Sequence, residues 1–125
     1  MTAFRAVVLE HFKHPRNRGS LEGANASQEG ANPLCGDRIR VQLRVIDGVI
    51  ADARFTADAC ALCIASASVM TEQLHGMSVD EATRLEIGVI HRILEGEPPA
   101  GRLKCTILPL DTMRRALRKP ESGAS

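Results

Sequence analysis

Tryptophan and tyrosine are absent from this chain, and phenylalanine occurs only three times. Proteins that hold single-stranded nucleic acid without sequence preference stack bases on aromatic rings. Phe4, Phe12 and Phe55 are too scattered to build such a platform. Charge of one sign is also not in surplus: 16 Lys and Arg face 15 Asp and Glu, a formal net charge of +1. That removes the electrostatic case for nucleic acid or an anionic membrane. No apolar run approaches the roughly 20 residues of a membrane span, and no basic-then-apolar start suggests a secretory leader. A cytoplasmic protein that binds neither nucleic acid nor membrane is expected.

What is present is ordinary apart from the cysteines. The 125 residues are 44% hydrophobic and 25% charged, as in one soluble globular domain spanning 1–125. A domain of this size buries roughly two-thirds of its unfolded surface, enough for a core without disulfides. Four cysteines remain to be explained: Cys35, Cys60, Cys63 and Cys105. In a reducing compartment they favour metal binding or thiol chemistry over disulfides.

Patterning predicts an α+β chain. From Thr2 to His14, Phe4, Val7, Val8, His11 and Phe12 fall at helical spacing, with Thr2 as N-cap and Pro15 as stop. Residues Leu21 to Pro33, rich in Gly, Ala, Asn and Ser, read as a loop or a weak edge strand. Ile39 to Val45 alternates strictly, Asp47-Gly48 is a hairpin signal, and Val49 to Thr56 returns with Val49, Ala51, Ala53 and Phe55 on one face. Ala61 to His75 reads as a helix ended by Gly76, and its stretch Ala65-Ser66-Ala67-Ser68 is small on all faces, so something packs very close to it.

Ser78 and Glu81 form a capping box opening a helix expected to reach about Ile87. Gly88 interrupts, and Val89 to Leu94 adds a short turn or helix. Pro98-Pro99 marks a loop. The last helix is expected to begin near Cys105 or Leu110 and to end in Arg114, Arg115, Arg118 and Lys119. Those cations make a solvated face or a docking patch for an acidic partner, and about 119–125 reads as a disordered tail.

Cys35, Cys60 and Cys105 all sit at junctions between elements, where loops far apart in sequence can converge and exposed backbone N–H groups stabilise thiolates. Cys60-Ala61-Leu62-Cys63 is formally CxxC. A zinc ribbon needs a second such pair, and a thioredoxin-type motif needs a βαβ setting rather than a preceding antiparallel hairpin. Cys63 therefore reads as either half of a redox dithiol or a small buried apolar residue. In Pro33-Leu34-Cys35-Gly36-Asp37, Gly36 permits a tight turn that aims the Cys35 sulfur and the Asp37 carboxylate at one centre. Such a pair suits zinc or iron; the alternative is an Asx turn in which Asp37 only caps its neighbours. His11, His14, His75 and His91 are lone histidines on helices, read as surface or half-buried rather than as ligands, with His11 and His14 capping or packing the first helix.

Together these motifs resemble the iron–sulfur scaffold family that includes IscU, SufU and the NifU N-terminal domain. The resemblance is carried by His11-Phe12-Lys13-His14-Pro15-Arg16-Asn17-Arg18-Gly19, by Pro33 to Ile39, by Cys60 with Ile64 to Ser68, and by Arg102-Leu103-Lys104-Cys105. It implies an α+β fold in which a small antiparallel sheet of about three strands packs against several helices, with a metal site at one end of the sheet. It also implies that Cys35, Asp37, Cys60 and Cys105 are the ligands, and that Cys63 is not. Lys104 stands where the IscU branch has His; Pro98-Pro99-Ala100-Gly101-Arg102 differs from that branch's Leu-Pro-Pro-Val-Lys segment; and the insertion of SufU proteins before the third cysteine is missing.

Two activities follow from the resemblance. A scaffold would receive sulfur from a cysteine desulfurase on Cys105, carried on a loop from Gly101 to Leu108 free to swing. It would build a [2Fe–2S] cluster and pass it to apo-proteins, with Asp37 as the weak fourth ligand. A zinc-dependent sulfurtransferase would instead hold Zn²⁺ on the same four residues and accept persulfide from a SufS-type desulfurase. Either is a monomer or weak homo-oligomer, and a sulfur acceptor more than a true enzyme. The plain alternative is a metal that only stabilises the fold.

Overall fold

The computed structural model describes residues 2–118. The expected tail at 119–125, with Lys119, and the expected capping side chain of Thr2 lie outside what is described. Helix α1 spans Thr2–Lys13, strands β1, β2 and β3 span Ala26–Asn32, Asp37–Ile46 and Val49–Asp58, and helices α2, α3, α4 and α5 span Ala61–Leu74, Val79–Thr83, Ile87–Ile93 and Leu103–Arg118. The strands form one antiparallel sheet in the order β1-β2-β3, and α2 and α5 pack on it.

The hairpin signal acts as expected. Asp47 and Gly48 both take positive φ, 52° and 76°, the twist that a two-residue hairpin turn requires. On β2 the alternation holds, with Ile39, Val41 and Leu43 buried and Arg38, Arg40 and Arg44 exposed. On β3 the expected face is half right. Ala53 and Phe55 are buried, but Val49 and Ala51 are exposed and Ile50 is buried instead. The reason is a β-bulge: Arg44 pairs with Asp52 while Val45 pairs with Ile50, so Ala51 is the extra residue and the side-chain phase flips across it.

Of the two readings for Leu21 to Pro33, the edge strand is right for Ala26–Asn32. Its residues have poor strand propensity, and pairing with β2 makes the strand. At Gly30 an added Cβ would lie 2.1 Å from the Thr112 hydroxyl, so β1 and α5 approach as closely as glycine allows. The other edge, β3, is covered by two segments. Gly19 and Asn17 exchange backbone hydrogen bonds with Phe55 at 2.8 and 3.0 Å, and Met77 and Gly76 do so with Ile50 at 2.9 and 2.8 Å.

Helix α2 is the core helix, buried from Cys63 to Thr71. Its small stripe is met from two sides. His11 on α1 lies 2.7 Å from the Ser68 hydroxyl, and the Ser66 hydroxyl donates to the Thr106 carbonyl on α5 at 2.6 Å. The capping box on Ser78 and Glu81 is formed, but α3 ends at Thr83 rather than near Ile87. Gly88 does not interrupt; it lies inside α4. Helix α5 starts at Leu103, close to the earlier of the two expected starts, and runs through Pro109, which sits mid-helix. Among the expected solvated cations, Arg114 instead donates to the Leu85 carbonyl.

Candidate metal centre

Three chain junctions meet at one end of the sheet. Cys35 lies in the turn from β1 to β2, where Gly36 takes φ 73°. Asp37 is the first residue of β2. Cys60 is the N-cap of α2, and Cys105 is in the first turn of α5. The Cys105 and Cys35 sulfurs are 3.9 Å apart. Ligand atoms of Cys35, Asp37 and Cys105 all lie within 4.8 Å of one another, and the Cys60 sulfur is 3.8 Å from Asp37 Oδ2.

Asp37 has two tasks there. It is 2% exposed, and its Oδ1 accepts from the Cys60 backbone N–H at 3.0 Å, satisfying a donor at the start of α2. The Asx turn is not formed: the backbone group that Asp37 caps is that of Cys60, 23 residues on, while its other carboxylate oxygen faces the Cys60 thiol. Cys35 is exposed, with the Asn32 amide 3.6 Å from its sulfur, whereas Cys105 is buried.

Burial pushes the Cys105 thiol up to about 12, with hydrogen bonding to Cys60 and the Cys60 charge next. A cation at the site reverses that preference, because thiolate ligation releases the proton. Arg102, exposed and three residues before Cys105, is the cation nearest to it in the chain apart from Lys104. Hydrogen bonding to Cys105, then the charges of Cys60, Cys105 and Cys35, hold it above the ordinary arginine value. Two thiols and one carboxylate converge, and the Cys60 sulfur stands outside that group, beside Asp37; such a donor set suits a soft or borderline metal on sulfur, with a weaker oxygen donor.

Two expectations are corrected. Cys105 is not on a free loop; it belongs to α5, and a short 3-10 turn over Ala100–Arg102 leads straight into that helix. His91 is buried, its Nε2 3.0 Å from the Thr106 hydroxyl. Nothing in the sequence near His91 announced this, because its partner lies on another helix. Cys63 matches its packing reading: it is fully buried, and burial, then the charges of Asp37, Cys60 and Cys105, push its thiol far up.

A family model described as the NifU-like N terminal domain matches residues 3–122. The chain belongs to the NifU-like N-terminal domain family. Within this family it is 38% identical over 120 residues to the iron–sulfur cluster assembly scaffold protein IscU of Escherichia coli, covering 92% of this chain and 91% of that one. It is 28% identical over 139 residues to the zinc-dependent sulfurtransferase SufU of Bacillus subtilis, covering 98% and 94%. It is also 39% identical to a mitochondrial iron–sulfur cluster assembly protein of Candida glabrata, of whose length it spans 57%. Among solved structures, a chain of Fervidobacterium islandicum assigned as a SUF-system assembly scaffold superposes with a TM-score of 0.80 at 25% identity, covering 94% of this chain and 98% of that one.

Proposed function

We propose that this NifU-like domain is an iron–sulfur cluster assembly scaffold. The observation that carries the reading is the convergence of Cys35, Asp37 and Cys105 within 4.8 Å, with Cys60 beside Asp37, at an exposed end of the sheet. The cluster is cargo here. Three thiolates grip it, and Asp37 is the labile ligand through which it leaves, because a carboxylate is the harder and weaker donor to iron.

Sulfur arrives on Cys105. Its thiolate attacks the terminal sulfur of a cysteine desulfurase persulfide; the donor S–S bond breaks, the donor cysteine leaves as thiolate, and the sulfane sulfur stays on Cys105 as a persulfide. Two such sulfurs need four electrons to become sulfide: two come from the two ferrous ions, which end as ferric iron in the cluster, and two from a ferredoxin-type or dithiol reductant. Apo iron–sulfur proteins receive the cluster. Bacterial and mitochondrial relatives both exist, and no described helix is long and apolar enough to cross a membrane; we place the protein in the cytoplasm.

A second reading has its own support. Lys104 is exposed and stands where the IscU branch has His, leaving a Cys₃Asp donor set without imidazole. That set also suits tetrahedral zinc, and a zinc-dependent sulfurtransferase is among the relatives. When bound, zinc would hold the thiols deprotonated near neutral pH, and release of Cys105 from it would expose the sulfur acceptor.

Incubation with a cysteine desulfurase, L-cysteine, dithiothreitol and ferrous iron without air separates the two. The scaffold reading expects a brown [2Fe–2S] chromophore that passes to apo-ferredoxin, and its loss in Cys105→Ser. A colourless protein with one tightly held zinc that still draws sulfur from the desulfurase would overturn it in favour of the sulfurtransferase.

A further inference from the structure

A buried chain of hydrogen bonds outside the thiol cluster ends on the turn that carries Cys105. The Thr106 hydroxyl has one proton and donates it to the Leu103 carbonyl at 2.8 Å. Its lone pair therefore accepts from His91 Nε2–H at 3.0 Å. From the other side, the Ser66 hydroxyl donates to the Thr106 carbonyl at 2.6 Å. Ser66 and Thr106 are fully buried, and His91 is 7% exposed. Pro109, four residues on, has no N–H to give the Cys105 carbonyl. The first turn of α5 thus lacks one of its own backbone bonds and is tied down by side chains of α2 and α4.

We propose that His91 is a positioning residue for Cys105. Through the Thr106 hydroxyl it holds the turn on both sides of the cysteine, so that the thiol stays buried 3.9 Å from Cys35. This rests on the reading of Cys105 as ligand and sulfur acceptor. A thiol held here ligates together with Cys35 and Asp37, whereas a thiol released with its turn is open to any electrophile. His91 touches neither cargo nor sulfur and acts only through Thr106.

The test is iodoacetamide alkylation of the reduced, metal-free protein, resolved by peptide mass spectrometry at Cys35, Cys63 and Cys105. In His91→Leu, alkylation at Cys105 is expected to rise roughly fivefold to tenfold, the opening that loss of one buried hydrogen bond allows. Cys35, already exposed, keeps its rate, and Cys63 stays unreacted because the core is intact. His91→Gln, whose amide N–H replaces Nε2–H, returns Cys105 to the wild-type rate. Thr106→Val breaks the same link from the other end, so it decides the matter if His91→Leu does not fold. An unchanged Cys105 rate in Thr106→Val, or a parallel rise at Cys63, overturns the proposal. The readout involves no metal and no sulfur donor, so it is separate from the role of Cys105. Failure of that role appears instead as a Cys105→Ser protein that binds Co²⁺ like the wild type.

Discussion

Asp37 ties the start of β2 to the start of α2 and, in the proposed scaffold, also serves the cargo. Its Oδ1 holds the Cys60 N–H at 3.0 Å, and its Oδ2 faces the Cys60 sulfur at 3.8 Å. Asp37→Ala removes both contacts. The metal-free variant should lose about 1 kcal/mol of stability in a denaturant titration, the net worth of one such hydrogen bond. The loaded variant should pass its cluster to apo-ferredoxin more slowly, because the exit ligand is gone; transfer at the wild-type rate would contradict the assigned role. The pairing of a cysteine with an aspartate two residues on, across a glycine, was legible in the sequence. That Asp37 also caps α2 was not, since Cys60 lies 23 residues away.

At the scale of elements, close approach and buried contacts decide how helices sit on the sheet. Gly30→Ala would place its Cβ against the Thr112 hydroxyl. Overpacking of this kind costs roughly 1–3 kcal/mol. Thr112→Ala in the same chain should recover part of that loss, because the two positions share one contact; thermal melts of both singles and the double measure the coupling.

Helix α1 is held to α2 by His11 and Ser68, and the Ser68 hydroxyl also accepts from the Arg16 N–H at 2.9 Å. Burial, then the Arg16 charge, hold the His11 imidazole below its ordinary value. The unfolded chain takes up a proton near pH 6.5 that the folded chain does not, so this contribution is complete above pH 6.5 and is lost as pH falls below it. Wild-type Tm should drop between pH 7.5 and 5.5 by more than that of His11→Asn; equal drops would contradict this placement of His11. The helical spacing around His11 was readable in the sequence. The bulge at Ala51 was not, because nothing in alternating Val49 to Phe55 says where pairing slips by a residue.

For the whole molecule, the hairpin and the central helix followed from local pattern and turn chemistry. The start of α5 and the strand character of β1 depended on tertiary packing, which overrode a mid-helix proline and weak strand formers. The candidate metal centre was legible only in pieces. Cys35 and Cys105 are 70 residues apart in the chain, and their junction positions showed that they can meet rather than that they do. The family motifs supplied the pairing, and the fold supplies the geometry.

The central claim is that three of the four thiols and Asp37 form one metal centre while Cys63 only fills the core. Co²⁺ titration of the reduced protein tests it most directly, because the near-ultraviolet sulfur-to-cobalt band grows with the number of bound thiolates. Cys35→Ser, Cys60→Ser and Cys105→Ser should each lose roughly one-third of that band, and Cys63→Ser should keep all of it. A Cys63→Ser protein that loses as much as the others, or a Cys60→Ser protein that loses nothing, would contradict it.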